Sequence, residues 1–158
     1  LKVSKEMTKQ ALFAGGCFWG IEAAFQKLGG VVSTQVGYSG GHLEEPSYVD
    51  VCSDTSGHAE TVLVTYDPKN NLVEAFFEIH DPTAEGLNCA DFGTQYRSVI
   101  FYTDPQEEKT ARDVISRLNK AGRFSSAINT QVEPATIFWP AENYHQQYYQ
   151  RHGLVDSL

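Results

Sequence analysis

Apolar positions recur along this chain with two periods, and the switching between them predicts its elements. Ala11-Leu12-Phe13-Ala14 is a short apolar run of strand length. After Gly15, Gly16 and Cys17, residues Ile21, Ala24, Phe25 and Leu28 fall at i, i+3, i+4 and i+7, the stripe of an amphipathic helix. Gly29-Gly30 stops that helix. Residues 31–38 alternate, with Val32, Thr34, Val36 and Tyr38 on one side, and predict a strand. Residues 39–46 combine glycines, a proline and charges and predict a loop. Residues 47–52 have no clear period, so their type stays open. Residues 53–57 are turn-like, and 58–66 predict a strand stopped by Asp67-Pro68.

Leu72, Ala75, Phe76 and Ile79 mark a second helix, closed by Asp81-Pro82. Residues 83–93 are polar and aperiodic, a loop of the kind that carries function on a scaffold. Residues 95–102 predict a strand. Asp104-Pro105 followed by Glu107 is a helix start, and that helix runs to about Lys120, with Ala111, Val114, Ile115 and Leu118 on one face and Gly122 at its stop. Residues 130–138 predict an edge strand, because Pro134 cannot donate within a ladder. Residues 142–150 predict a short polar helix with Tyr144 and Tyr148 on one side. The order of elements implies one α/β domain over residues 11–158. Residues 1–10 are read as an N-terminal extension or an expression remnant.

Composition narrows the classes of function. The 158 residues suffice for one domain with a real core, and 41% apolar with 20% charged residues is an ordinary globular balance. A net charge of -8 without a Lys or Arg run argues against nucleic acid and anionic membrane as partners. No apolar run is long enough to span a bilayer, and no secretory signal pattern opens the chain. Three cysteines, an odd number, do not suggest a secreted disulfide scaffold and fit a reducing, cytoplasmic setting better.

The chemistry concentrates at Gly15-Gly16-Cys17-Phe18-Trp19-Gly20. Cys17 falls where a strand ends and a helix begins, where free backbone N–H groups and the helix dipole favour a thiolate. Phe18 and Trp19 are either core aromatics or the walls of a small apolar pocket beside it. Glu60 shares a strand face with Val62, Val64 and Tyr66. If that face is buried, desolvation favours its protonated form, as a general acid needs; if the strand end is open, the carboxylate simply reaches water. Tyr48, Tyr96 and Asp91 flank loops, and a tyrosine hydroxyl can donate to an oxygen that gains charge. With eight tyrosines, packing is the commoner use for any one of them. The five histidines show no zinc spacing and there is no CxxC, so no metal is expected. Two other classes fit the cysteine: a hydrolase with His58 as base, and a binding module with an aromatic pocket.

These residues resemble the A-type peptide-methionine sulfoxide reductases. The likeness rests on Gly-Cys-Phe-Trp-Gly at 16–20 and continues through Gly37-Tyr38-Ser39-Gly40-Gly41, Pro46-Ser47-Tyr48, Gly57-His58-Ala59-Glu60, His80-Asp81-Pro82-Thr83, Gly93-Thr94-Gln95-Tyr96-Arg97-Ser98 and Ala141-Glu142-Asn143-Tyr144-His145-Gln146-Gln147-Tyr148. The resemblance implies an α/β (α+β) two-layer sandwich with a ferredoxin-like core, a mixed sheet and helices on one side. It implies that Cys17 attacks the sulfoxide sulfur and that Glu60 protonates the oxygen. Tyr48 and Tyr96 would hold that oxygen, Phe18 and Trp19 would take the S-methyl group, and Asp91 would orient the site. Cys17 would become a sulfenic acid. The implied substrate is methionine S-sulfoxide, free or in peptides. Implied too are no bound cofactor, a monomer, and recycling by thioredoxin, glutaredoxin or another thiol.

The sequence departs from that family at two places. It ends without a cysteine where many members carry a resolving one in a glycine-rich tail. The loop after His80-Asp81-Pro82-Thr83 has Gly86, Asn88 and Cys89 where Asn, Gln and Gly are usual. Cys89, two residues before Asp91, is thereby a candidate resolving thiol. An external thiol is the alternative, and Cys52 ranks behind both.

Overall fold

The computed structural model describes residues 8–53, 55–83 and 94–153. Its frame is a six-stranded sheet built around the apolar run that precedes Cys17. The strands are β1 (Lys9–Gly15), β2 (Val31–Ser39), β3 (Ala59–Tyr66), β4 (Ser98–Tyr102), β5 (Gln131–Pro134) and β6 (Trp139–Pro140). They lie in the order β5-β4-β1-β3-β2-β6. All neighbours are antiparallel except β4 and β5, so the sheet is mixed. The inner four strands, β4-β1-β3-β2, have the ferredoxin-like order.

Side-chain alternation sorts the sheet's two faces. Phe13, Val36, Tyr38, Val62, Val64 and Ile100 point to one face. Against them pack the buried residues of α1 (Phe18–Gln26), α2 (Tyr48–Cys52), α3 (Leu72–Phe76) and α4 (Pro105–Lys120): Phe18, Ile21, Phe25, Val51, Leu72, Phe76, Ala111 and Val114. The opposite face carries a smaller cluster of Leu12, Ala14, Ala59, Val99 and Phe101, covered by Ala135 and Phe138 from the segment after β5. The helices thus form one layer and the sheet the other.

One stretch of open type takes a definite form, and three elements differ from their sequence-based expectation. Residues 47–52, whose type was open, form α2, started by a reciprocal capping box: Ser47 Oγ accepts from Asp50 N–H, and the Asp50 carboxylate accepts from Ser47 N–H. The second helix ends at Phe76 rather than Ile79, because the chain tightens into i→i−3 bonds from Phe77, Glu78 and Ile79. The strand expected over 95–102 begins only at Ser98, after a 3-10 turn at Thr94–Tyr96. The strand expected over 130–138 stops at Pro134, and the chain then crosses behind the sheet to add β6 at the far edge.

The polar helix expected over 142–150 is also broken. It forms a 3-10 turn at Asn143–His145 and a short α5 (Tyr148–Arg151). Gln147 between them has φ 49, a left-handed residue that no continuous helix accommodates. This C-terminal segment lies over the start of α1, and it positions much of the site.

Candidate active site

Strand β1 ends at Gly15, and Cys17 is the N-cap of α1. The turn between them needs its glycines. Gly16 has φ 122, and a Cβ on Gly15 would lie 3.0 Å from Phe76 Cε1 and 3.1 Å from the His80 ring. Cys17 is partly exposed, as a thiol that meets a substrate must be. Its side chain makes no capping hydrogen bond.

Glu60 stands on the helix-covered face of β3, paired with Tyr38 of β2 and only 1% exposed. Its Oε1 accepts a 3.1 Å hydrogen bond from Phe18 N–H, the peptide group directly after Cys17. The carboxyl therefore meets the same helix terminus as the thiol. Burial disfavours its charge, so the buried face that the alternation left open is the one the chain adopts.

Tyr48 is the first residue of α2. Burial pushes its phenol far up, and the neighbouring Cys52, Glu60 and Tyr96 add to the shift. Tyr48 is therefore a neutral phenol over any working pH, with Glu60 and Tyr96 near it. Tyr96 closes the 3-10 turn that precedes β4. Asp91 and Cys89 lie outside the described residues.

Phe18 and Trp19 take different places. The Phe18 ring is fully buried against Tyr38, Tyr48 and His145. Trp19 is partly exposed and stacks flat on Tyr148, with ring centroids 3.8 Å apart. Trp19 also lies near-parallel to Tyr48, at 25° with centroids 6.4 Å apart.

Several residues that hold this arrangement are named in the sequence motifs without a role. Glu142 bridges two tyrosines: its Oε1 accepts from Tyr38 Oη at 2.9 Å and its Oε2 from Tyr48 N–H at 3.0 Å. Burial raises its carboxyl, but the hydrogen bonds from Tyr48, its own backbone and Tyr38 outweigh that and hold it below the usual carboxylate range. Buried Glu22 of α1 receives Gln147 N–H and Gln147 Nε2, and the Thr34 hydroxyl completes its shell. Gln146 donates to Val36 O and accepts from Val36 N–H, continuing the β2 edge with a side chain. Trp19 Nε1 donates to His145 Nδ1 at 2.9 Å.

His58 is not placed to serve Cys17 as a base. Its Nδ1 accepts from Gly41 N–H at 3.0 Å, and its Nε2 meets Leu43 O at 2.6 Å. Both ring nitrogens are committed to the loop after β2, which removes the hydrolase reading built on that histidine. Among the described residues no group of three or more His, Cys, Asp or Glu stands together as a metal site, and no helix is long and apolar enough to cross a membrane.

His80 supports the glycine turn from behind and gives a stability prediction. Its Nδ1–H donates to Phe76 O, so Nε2 accepts from the Ser98 hydroxyl at 2.7 Å. Ser98 Oγ then accepts from Thr130 Oγ1. Burial lowers the imidazole to about 4. The unfolded chain, near the free value of about 6.5, then binds this proton first as pH falls. Stability is full above that value, drops through the interval down to the folded value, and is flat below it. The expected loss is about 3 kcal/mol between those limits. Urea denaturation of wild type and His80→Gln across that range checks it: the variant loses the corresponding part of the slope. Equal slopes would contradict the assignment.

A strand-to-helix cysteine with a buried carboxyl at the same helix mouth, beside the neutral Tyr48 phenol, fits a thiol-based oxidoreductase. The sequence model of the family described as Peptide methionine sulfoxide reductase matches residues 9–156, and the chain belongs to that family. It is 47% identical to the peptide methionine sulfoxide reductase MsrA of Methanosarcina acetivorans, over 97% of this chain and 84% of the relative. It is 50% identical to that of Methanothermobacter thermautotrophicus, over 90% of this chain and 87% of the relative. Among solved structures, Mxr1 from Saccharomyces cerevisiae in reduced form superposes with a TM-score of 0.87 at 33% identity, covering 96% of this chain and 90% of that one. Methionine sulfoxide reductase A of Corynebacterium diphtheriae superposes at 0.83 with 35% identity, over 96% and 78%. Mxr1 in complex with Trx2 matches at 0.63 with 25% identity, over 94% and 89%.

Proposed function

We propose that this chain reduces methionine S-sulfoxide to methionine, with Cys17 as the sulfur nucleophile and Glu60 as the proton donor. The observation that carries the reading is the Glu60 carboxyl bonded to the peptide N–H next to Cys17, buried yet joined to the thiol's own helix terminus. Reduction of peptide methionine sulfoxide is the activity that the family's description names.

In the acid form Oε1 of Glu60 keeps the Phe18 N–H bond, so the proton resides on Oε2. The Cys17 thiolate attacks the sulfoxide sulfur. Glu60 protonates the oxygen, which leaves the methionine sulfur and ends on Cys17. Methionine sulfur is reduced by two electrons, and Cys17 is oxidised by two to the sulfenic acid. Tyr48 and Tyr96 donate to the oxygen as its charge grows, the effect that preorganised donors exert in a water-poor site. The S-methyl group lodges against Trp19 and Tyr48, with Phe18 backing them. Asp91 helps to orient the site and its water.

The cycle closes through a second thiol. Cys89 attacks the sulfenic acid, forms a Cys17–Cys89 disulfide and releases water. Thioredoxin, glutaredoxin or another dithiol then reduces that bond, in line with the Mxr1 complex with Trx2. Disulfide mapping after one turnover tests this: wild type is expected to carry the Cys17–Cys89 bond and Cys89→Ser to keep Cys17 as a sulfenic acid, whereas a Cys17–Cys52 disulfide in the wild type would rule Cys89 out. The chain works as a cytoplasmic monomer without a bound cofactor.

Incubation with each sulfoxide epimer and dithiothreitol, followed by chiral chromatography, tests the activity. The S epimer is expected to convert completely and the R epimer to persist. Loss of both epimers at equal rates would contradict the proposed site.

A further inference from the structure

Glu142 takes no part in the chemistry above, yet it ends a line of side chains that starts at Glu60. Tyr38 and Glu60 are direct partners across β2 and β3, and both side chains enter the helix-covered face, where opposite Cβ atoms stand about 5 Å apart. Tyr38 is wholly buried, and its hydroxyl donates to Glu142 Oε1 at 2.9 Å. A second line runs through α2. Glu142 Oε2 accepts from Tyr48 N–H at 3.0 Å, and the Tyr48 phenol and the Cys52 thiol lie near Glu60. The Phe18 ring packs against Tyr38 and Tyr48, so aromatic side chains line this cluster. We propose that Glu142 is a positioning residue that acts through Glu60: its fixed negative charge, set across this cluster, keeps the Glu60 proton in place at neutral pH.

The inference rests on the reading of Glu60 as the proton donor. That role requires an acid that is still protonated when Cys17 is a thiolate. Burial favours the protonated form, and a second carboxylate nearby favours it further, because like charges in a water-poor site repel. Burial raises the Glu142 carboxyl, but the bonds from Tyr48, its own backbone and Tyr38 outweigh that, so Glu142 is the member of the pair that carries the charge. The other groups around Glu60 do not cancel it. Tyr38, Tyr48 and Tyr144 are phenols pushed up by burial first, and Cys52 is a thiol raised in the same way. Tyr96 lies near Tyr48. Cys17, as the thiolate, opposes ionisation of Glu60 in the same sense. The His145 imidazole beside Glu142 is lowered by burial, against the pull of that carboxylate, and is neutral at neutral pH. Arg97, after the turn that carries Tyr96, donates to Gly57 O.

The test reads the pH at which the first turnover slows. Reduced protein without added thiol is mixed with excess methionine S-sulfoxide and rapidly quenched across neutral and alkaline pH. In wild type the rate is expected to fall along an alkaline limb as Glu60 loses its proton, and Glu60→Gln is expected to lack that limb. Glu142→Gln is the test of charge. Its amide oxygen still accepts from Tyr48 N–H and its NH2 group can donate to the Tyr38 hydroxyl, so the contacts stay while the charge goes. The limb is expected to move down by about one pH unit, the size of one charge felt across about 10 Å at an effective dielectric of about 20. Tyr38→Phe removes a bond to Glu142 but leaves its charge, and is expected to keep the limb near its wild-type place. A limb unmoved or raised in Glu142→Gln, or lowered as far by Tyr38→Phe, makes Glu142 a brace for the two tyrosines and overturns the inference. If Glu142→Gln does not fold, the Tyr38→Phe/Glu142→Leu pair, which removes the charge and its buried partner together, replaces it. A wild type without the limb, or a Glu60→Gln protein that keeps it, removes the proton donor, and both readings fall. A limb that belongs to Glu60 but ignores the charge of Glu142 leaves the donor standing, and only the role of Glu142 falls.

Discussion

Replacing Cys17 with serine is expected to abolish reduction of methionine sulfoxide without weakening the fold. The hydroxyl of serine stays protonated at neutral pH, and oxygen cannot accept the sulfoxide oxygen as sulfur does. Loss of a nucleophile from a site whose groups act together costs roughly six orders of magnitude, here below detection. The structure adds a second half to the outcome. Cys17 is the N-cap of α1 and makes no side-chain capping bond, whereas serine is among the preferred caps. Cys17→Ser should therefore melt at or above the wild-type temperature, a gain of up to about 1 kcal/mol. Chromatographic assay and calorimetry on one preparation check both halves. Residual turnover in a well-folded Cys17→Ser protein would remove Cys17 from the chemistry.

The second large effect is at Glu60. Glu60→Gln keeps the shape of the side chain and, through its amide oxygen, the acceptor for Phe18 N–H. What it loses is the transferable proton. Turnover is expected to fall by roughly two to four orders of magnitude, the range for general acid catalysis. Because the sulfoxide oxygen leaves only once protonated, the deficit should appear in kcat and not in KM. Rapid-quench measurement of the first turnover separates this step from recycling by thiol. First-turnover rates near wild type would take the proton-donor role from Glu60.

The features legible in the sequence were those set by local period. The apolar run at 11–14, the helical stripe from Ile21 to Leu28 and the intervening glycines placed Cys17 at a strand-to-helix junction, where the structure has it. Alternation along β3 put Glu60 on the face of Val62 and Val64, although it left open whether that face was buried. Residues 47–52 stayed open because the five-residue α2 that the Ser47–Asp50 box starts is too short to show a stripe.

Contacts that cross the chain were not legible. Glu142 reaches Tyr48 and Tyr38 across about a hundred residues, and Gln147 reaches Glu22 from further still. Nothing in the period of residues 141–151 shows that they cover α1. The available signal was compositional: a dense polar and aromatic stretch whose expected helix carried only Tyr144 and Tyr148 on one side and no aliphatic stripe to pack. Phe18 shows the same limit. Its place beside the cysteine suited a pocket wall or a core ring, and only the converging Tyr38, Tyr48 and His145 set its ring in the core, behind Trp19.

The central claim is that the oxygen taken from the substrate passes to the sulfur of residue 17. One equivalent of methionine S-sulfoxide, added to reduced protein without any other thiol, tests this by mass spectrometry of the quenched mixture. One methionine should form per chain, with Cys17 recovered as a sulfenic acid or a disulfide and no longer open to alkylation. Methionine formed in that yield while Cys17 is still a free, alkylatable thiol would contradict the account.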